Sequence, residues 1–477
     1  MLKTLLLICS ACVSMALLGQ PLLDTLDPDL DAAGERLSQL DTRALEARLE
    51  RADEQLGTEL RGLEQRLERR IDALEAVLDP QRLGLHDADL LQLRGLRSER
   101  LLQQHPDVVE LDPLDWPIMR AQIMALAPDE AALALAQQQG FSILRRETLA
   151  GLDTELVILL APDSLSTAAA LRQLRQLDPD GTYDYHHLYL RAASPTNATP
   201  ANATTRQDTA DAPSPVAADR LPADRPVRVG MIDTGIDRSH QALSRLPLQT
   251  HTDCEDDAPD AHGTAVASLI AGQQGPFRGA APNAELYAVN VYCTGSPSGQ
   301  LAQIVGGLSW LAEQSIPVIN ISLVGADNRL LAQIVAQLSE RGHLLVAAVG
   351  NDGPNAPPLY PAAYETVVGV TAVDAQNEVL LEAVRGPQVE LAAPGADMAA
   401  AGLNGQFVAV RGTSFAAPIV AGLLANQLPA PNADAAAAAR RQLRRQAGSK
   451  HKPDAGYGLV GTQVRISPAV ANLTLQE

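Results

Sequence analysis

The pattern of apolar and polar positions changes character several times along the chain, and each change marks a boundary. Behind Lys3 an apolar stretch runs over 5–18, too short and too broken by Ser and Cys to span a bilayer comfortably. Residues 31–78 are highly charged and nearly free of Gly and Pro. There Leu60, Leu63, Leu67, Ile71, Leu74 and Leu78 recur every three or four residues, the period of an amphipathic helix. Pro80 closes that pattern, and a second helical patch follows over 90–102. The spacing then predicts strands over 119–126, 141–147, 155–160 and 182–190. Helices fall between them over 129–139 and 165–177, the second with Asp163 and Ser164 as caps. This β-α-β-β-α-β order is ferredoxin-like. Residues 193–223 carry Ala, Thr, Pro, Asn and Asp with no period, which reads as a flexible linker open to proteolysis.

Beyond the linker the pattern turns apolar on every face. Residues 227–232 are rich in β-branched side chains and read as a buried parallel strand. Asp233 falls at its carboxyl end, where Thr234 and Gly235 break it, and open α/β sheets bind ligands at that edge. His262 opens HGTAVASLIAG, a helix stopped by Gly272. Ser414 opens SFAAPIVAGLLANQL, apolar all round and therefore buried, with Pro418 expected in its first turn. Gly412 allows close backbone approach, and the helix N-terminus favours negative charge near Ser414. A last helix over 433–446 ends in basic residues, as its dipole prefers.

DTG at Asp233, HGT at His262 and GTSFAAP at Ser414 give the chain order Asp, His, Ser, one of the known orders of the hydrolytic triad. A serine hydroxyl needs a base to become a nucleophile at neutral pH. His262 would take its proton and later protonate the leaving amine, while Asp233 would fix the imidazole tautomer. Asn351, in VAAVGNDGP, would supply a side-chain amide to the oxyanion beside the backbone N–H of Ser414. Losing one such donor costs about 10²–10³ in turnover. Singly these motifs are a turn, a core helix and a loop residue; their ordered conjunction carries the reading.

From about 227 to about 460 the chain resembles a subtilase, a subtilisin-like serine peptidase. The matching pieces are MIDTGID, DAHGTAVASLIAG, INISL, VAAVGNDGP, YPAAY, AAPG, RGTSFAAPIVAG and GYGLV. The resemblance implies a subtilisin-like α/β domain with a three-layer parallel-sheet core, hydrolysing peptide bonds in an extended-substrate cleft. It places Ser322, Leu323, Val324 and Gly325, and Ala348, Val349 and Gly350, on the two backbone strips flanking the substrate. Val324 departs from the family's usual glycine, and Leu359 stands where a small residue often floors the specificity pocket. Placed before such a domain, residues 117–192 resemble the family's inhibitor-type propeptide. The implied role is to assist folding and to block the cleft in cis until cut away between Leu190 and Asp224. The alternative is a silent, latched peptide-binding protein of the same fold.

Composition narrows the picture further. At 477 residues the chain exceeds one domain. It divides into a leader over 1–19, a helical segment over 28–105 and the ferredoxin-like unit over 117–192. The linker over 193–224, the peptidase domain over 225–465 and a tail over 466–477 follow. A net charge of -20 argues against nucleic acid and anionic membrane surfaces as partners. Polypeptide substrates and the propeptide-like unit are the expected partners, and the N-terminal helices offer a surface for self-association. Aromatics are only 3%, so the core must rest on Leu, Ala, Val and Ile.

The leader reads as a cleaved export signal, with Ser14 and Ala16 as the small-residue site and a lipid anchor at Cys12 as the alternative. The expected location is therefore periplasmic or secreted. Cys254 and Cys293 are a candidate disulfide, the alternative being two buried thiols. His186 and His187 read as strand residues on opposite faces, unable to chelate one ion together. His251, Asp253, Glu255, Asp256, Asp257 and Asp260 hold enough oxygen for calcium but read as a solvated acidic loop. Subtilases often carry calcium. No segment matches a family calcium loop, and no cofactor is assigned.

Overall fold

The computed structural model describes residues 87–191 and 227–473, apart from 256, 294, 295, 297 and 449. These residues fall within one compact unit spanning 71–477. The leader over 1–19, the amphipathic pattern over 60–78 and the linker over 193–224 lie outside the described residues.

The N-terminal part begins with helix α1 (Asp87–Gln104) and a short strand β1 (Val109–Leu111). Strand β1 pairs antiparallel with β2 (Pro117–Leu126). There follow α2 (Glu130–Gln138), β3 (Ser142–Leu149), β4 (Thr154–Leu160), α3 (Thr167–Leu177) and β5 (Thr182–Arg191). In space the four long strands lie in the order β5-β2-β4-β3, all antiparallel. Both helices start where a side chain satisfies an orphan backbone donor. Asp129 accepts the Ala131 N–H, and Ser166 accepts the Ala169 N–H. Asp163 and Ser164 do not cap α3. The Leu165 N–H is spent on the Pro162 carbonyl in a turn, which delays the helix to Thr167.

The second part is built on seven parallel strands. They are β6 (Val227–Asp233), β7 (Leu248–His251), β10 (Ala284–Asn290), β12 (Val318–Ile321), β14 (Leu344–Ala348), β15 (Val368–Val373) and β16 (Leu391–Pro394). Their spatial order is β16-β15-β14-β12-β6-β10-β7. Helices cover both faces, so the inner strands read as continuous apolar runs, and every residue of β12, β14 and β15 is buried. Helix α4 (Ala261–Ala271) packs on α7 (Thr413–Ala425), while α5 (Leu301–Glu313) packs on α6 (Arg329–Glu340). A hairpin of β8 (Gln273–Gln274) and β9 (Phe277–Arg278) follows α4. Two two-residue strands, β11 (Gly299–Gln300) and β13 (Leu323–Val324), lie off the main sheet. Strands β17 (Ala396–Ala401) and β18 (Phe407–Arg411) form a second hairpin that leads into α7. Helix α8 (Ala433–Ala447) and a short α9 (Pro468–Leu473) complete the chain.

The last four residues of β5 join the two parts. Past residue 187 they leave β2 and pair antiparallel with β11 (Tyr189 with Gly299) and with β13 (Arg191 with Leu323, Leu190 with Val324). The strand also caps two helices of the second part. His186 Nε2 accepts the Ala302 N–H at the start of α5, a helix with no side-chain cap of its own. Asp184 accepts the Arg329 N–H at the start of α6, where a negative charge suits the helix dipole.

Candidate active site

Asp233 ends β6, His262 is the second residue of α4 and Ser414 the second of α7. All three are fully buried. His262 Nδ1 lies 2.6 Å from Asp233 Oδ1, which also accepts the Thr234 N–H at 2.8 Å. The imidazole packs against Phe415, with ring centroids 5.4 Å apart. Its other nitrogen, Nε2, is buried with no hydrogen-bond partner. The Ser414 hydroxyl instead donates to the Ser322 carbonyl at 3.2 Å.

Backbone geometry around Ser414 explains the small residues of its motif. Gly412, the N-cap of α7, has φ 132°, a region that penalises side chains. Pro418 does not lie in the first turn of α7. Helix α7 begins at Thr413, so proline occupies its second turn and withholds the N–H that would bond the Ser414 carbonyl. The Ser322 hydroxyl takes that place, donating to the Ser414 carbonyl at 2.9 Å. The other face of Ser322 is fixed by Asn320, whose side-chain amide donates to its hydroxyl at 2.9 Å.

Asn351 follows β14 in a turn entered through Gly350 at φ 99°. Its Oδ1 accepts the Thr413 N–H at 3.2 Å, which ties the amide to the mouth of α7. Thr413 Oγ1 accepts the Gly350 N–H at 3.2 Å. Leu359, Val324 and Gly350 form one buried cluster. A Cβ on Gly350 would meet Leu359 Cδ1 at 2.3 Å and Val324 Cγ1 at 3.5 Å. Ala348 ends β14 and Val349 follows it, both buried, and Gly325 forms an antiparallel bridge with Tyr360. Ser322, Leu323, Val324 and Gly325 thus form one wall, and Ala348, Val349 and Gly350 lie beside it, with β5 seated on the first.

The seat is specific. Tyr189 is fully buried, its hydroxyl donates to the Ala326 carbonyl at 2.9 Å, and a Cβ on Gly325 would meet its ring at 2.6 Å. Its own carbonyl accepts the Tyr292 hydroxyl at 3.0 Å and the Ser298 hydroxyl at 2.6 Å. Arg191 Nη1 reaches both oxygens of Asp260, at 3.0 and 2.9 Å. Burial works against the Arg191 charge, but the Asp260 carboxylate outweighs it and its pKa is raised. In the sequence Asp260 falls in an acidic run, and no local signal singles out Tyr189 or Arg191. A cap position two residues before His262 was the available signal.

Three carboxylates of the acidic loop have protein partners, and Asp256 lies outside the described residues. Asp253 bonds Arg145 at 2.8 Å, Asp257 accepts from Asn290 at 3.1 Å, and Asp260 accepts the His262 N–H at 2.8 Å. Among the described residues no group of three His, Cys, Asp or Glu is placed to hold a metal. Cys254 and Cys293 are disulfide-bonded, with Cα atoms 5.0 Å apart. His186 turns to Gln122 and Ala302, whereas His187 turns to Asp112 and Asn328, so the pair shares no partner. Helix α1 also approaches the site. Arg97 and Arg94 face the buried carboxylate of Asp352, next to Asn351, at 3.8 and 4.0 Å. Among the described residues no helix is long and apolar enough to cross a membrane.

The chain is similar in sequence and fold to known proteins. The model of the subtilase family matches residues 224–460. The minor extracellular protease Epr of Bacillus subtilis is 31% identical over 245 residues, which cover 49% of this chain and 37% of Epr. Subtilisin DY of Bacillus licheniformis is 35% identical over 207 residues, 42% of this chain and 75% of that protein. Fervidolysin from Fervidobacterium pennivorans, described as a keratinolytic enzyme related to subtilisin, has a similar fold. Its TM-score is 0.59 at 18% identity, covering 76% of this chain and 61% of that one.

Proposed function

The chain belongs to the subtilase family, and we propose that it is an exported serine endopeptidase made as a latent precursor. The observation that carries this reading is the buried Asp233–His262 contact of 2.6 Å, which leaves a single unpartnered imidazole nitrogen, Nε2. Asp233 holds the proton on Nδ1 and so leaves the Nε2 lone pair free to accept one. On this reading the Ser414 side chain leaves the Ser322 carbonyl to hand its proton to that nitrogen. His262 then takes the proton as Ser414 Oγ attacks the substrate carbonyl, and returns it to the leaving amine. Asn351 and the Ser414 N–H stabilise the oxyanion. Water, activated by the same imidazole, releases the acyl group.

Latency follows from β5, which fills the strand position that an extended substrate needs. Arg191 stands opposite Leu323, one position short of Ser322, and the expected first self-cut follows the next residue in the sequence, Ala192. Export is supported by the leader pattern over 5–18 and by the disulfide, which persists in oxidising compartments. A second reading has its own support: the Ser414 hydroxyl bonds Ser322 rather than His262, as a silent relative with an occupied cleft would show. A fluorophosphonate probe separates the two. The peptidase labels once the N-terminal part is cut away, and Ser414→Ala abolishes both labelling and cutting. A chain that is never labelled after removal of that part refutes the peptidase reading.

A further inference from the structure

The end of β5 lies along Leu323 and Val324. Its side chains meet three different surroundings. Tyr189 enters a closed pocket, Leu190 pairs with Val324, and Arg191 reaches across to α4. The carboxylate that meets Arg191 is also held by the backbone of α4. Asp260 is the N-cap of α4, and its Oδ1 accepts the His262 N–H at 2.8 Å, so the carboxylate is held in one orientation beside the imidazole. The Arg191 guanidinium lies 5.5 Å from the centre of the Tyr292 ring, on which it stacks as a cation on a π face. Tyr292 also donates its hydroxyl to the Tyr189 carbonyl, so one residue grips both the strand backbone and its cation.

Resting on the peptidase reading above, we propose that Asp260 is a specificity-determining residue that selects a basic side chain, arginine above all, on the substrate residue paired with Leu323. In the register of β5 this is the penultimate residue before the cut bond. Arginine meets both carboxylate oxygens through Nη1 and lays its plane against the ring at once. Lysine keeps the charge without that planar contact. A neutral side chain leaves Asp260 without its partner, and an acidic one meets a like charge at close range. Endogenous substrates are therefore expected to carry an aromatic residue, any apolar residue and then arginine ahead of a small residue.

The test uses full chain allowed to mature, titrated with fluorophosphonate, and internally quenched peptides of sequence Tyr-Leu-Xaa-Ala-Ala-Ser. Xaa is arginine, lysine, citrulline, norleucine or glutamate. The expected order of kcat/KM is arginine, lysine, the neutral pair, glutamate, with arginine about tenfold or more above its neutral isostere citrulline. Asp260→Asn keeps a competent N-cap and should bring the arginine-to-citrulline ratio close to one. A wild-type ratio near one overturns the proposal, as does a high ratio that survives Asp260→Asn. If the variant does not accumulate, the citrulline comparison on the unmodified protein decides alone. A preparation that labels but cuts none of the peptides overturns this inference only. One that neither labels nor cuts overturns the peptidase reading with it.

Discussion

Ser322 and Ser414 hold each other by two hydrogen bonds of opposite sense: the Ser322 hydroxyl donates to the Ser414 carbonyl at 2.9 Å, and the Ser414 hydroxyl donates to the Ser322 carbonyl at 3.2 Å. Pro418 makes the first bond available by removing the helical donor from the Ser414 carbonyl. The second bond holds the hydroxyl of the proposed nucleophile on Ser322. The wall that seats the substrate strand and the residue that would attack it are thus one hydrogen-bonded unit.

Asp233→Asn should keep the buried geometry while presenting the wrong imidazole tautomer. Turnover of matured enzyme is expected to fall by about 10⁴. Kinetics normalised to the thermal stability of each preparation check this, since an equal loss of stability would point to a structural role instead.

Contact between β5 and α5 should depend on pH. Burial, then the neighbouring charges of His187 and Arg145, pull the His186 pKa from 6.5 down to about 3. Its remaining neighbours, Gln122 on β2 and the Ala302 N–H on α5, are neutral. Between those values the released strand binds a proton that the docked strand refuses. Docking is therefore unaffected above 6.5 and weakens as pH falls toward 3, by up to about tenfold per pH unit. Amide exchange at Gly299 and Gln300 in the intact Ser414→Ala chain, corrected for intrinsic rates, should show opening that rises from pH 7 to pH 5. His186→Gln should flatten that slope.

Helix α1 should lose its hold on the rest of the molecule when its two arginines are removed. Burial raises the Asp352 pKa and Arg97 and Arg94 oppose it, so the double change Arg94→Ala, Arg97→Ala leaves a buried carboxylate unsupported. With both arginines partly exposed, the expected cost is about 1–2 kcal/mol. Protection of the α1 amides in the Ser414→Ala chain should fall about tenfold or more.

The bridge between Cys254 and Cys293 closes a sequence separation of 39. Removing it by Cys254→Ser with Cys293→Ser should cost up to about 4 kcal/mol, the chain-entropy value for a loop of that length. Urea unfolding of the Ser414→Ala background, compared with and without the two serines, measures it.

Much of the sheet and helix order was legible because it rests on local physics. Buried parallel strands leave unbroken apolar runs, as in β14 and β15. Turns that need an unusual backbone leave glycines, as at Gly350 and Gly412. The Asp233, His262 and Ser414 motifs are legible for the same reason, since each couples one functional side chain to a local backbone requirement. Where local signals compete the reading failed. Ser166 caps α3 although Asp163 and Ser164 stand nearer the expected start, because a turn intervenes. Pro418 sits a turn deeper than its motif suggests.

What the sequence by itself determined is the order of strands and helices in the first part and the local motifs of the three residues proposed to act. Only the tertiary structure decided what faces them: that Arg191 meets Asp260, that His186 caps α5, and that Ser414 turns to Ser322. The physical reason is range. Backbone propensity and apolar period act over a few residues and are written locally, whereas a hydrogen bond between residues 69 apart exists only after the chain has closed on itself, and nothing in either segment alone names its partner.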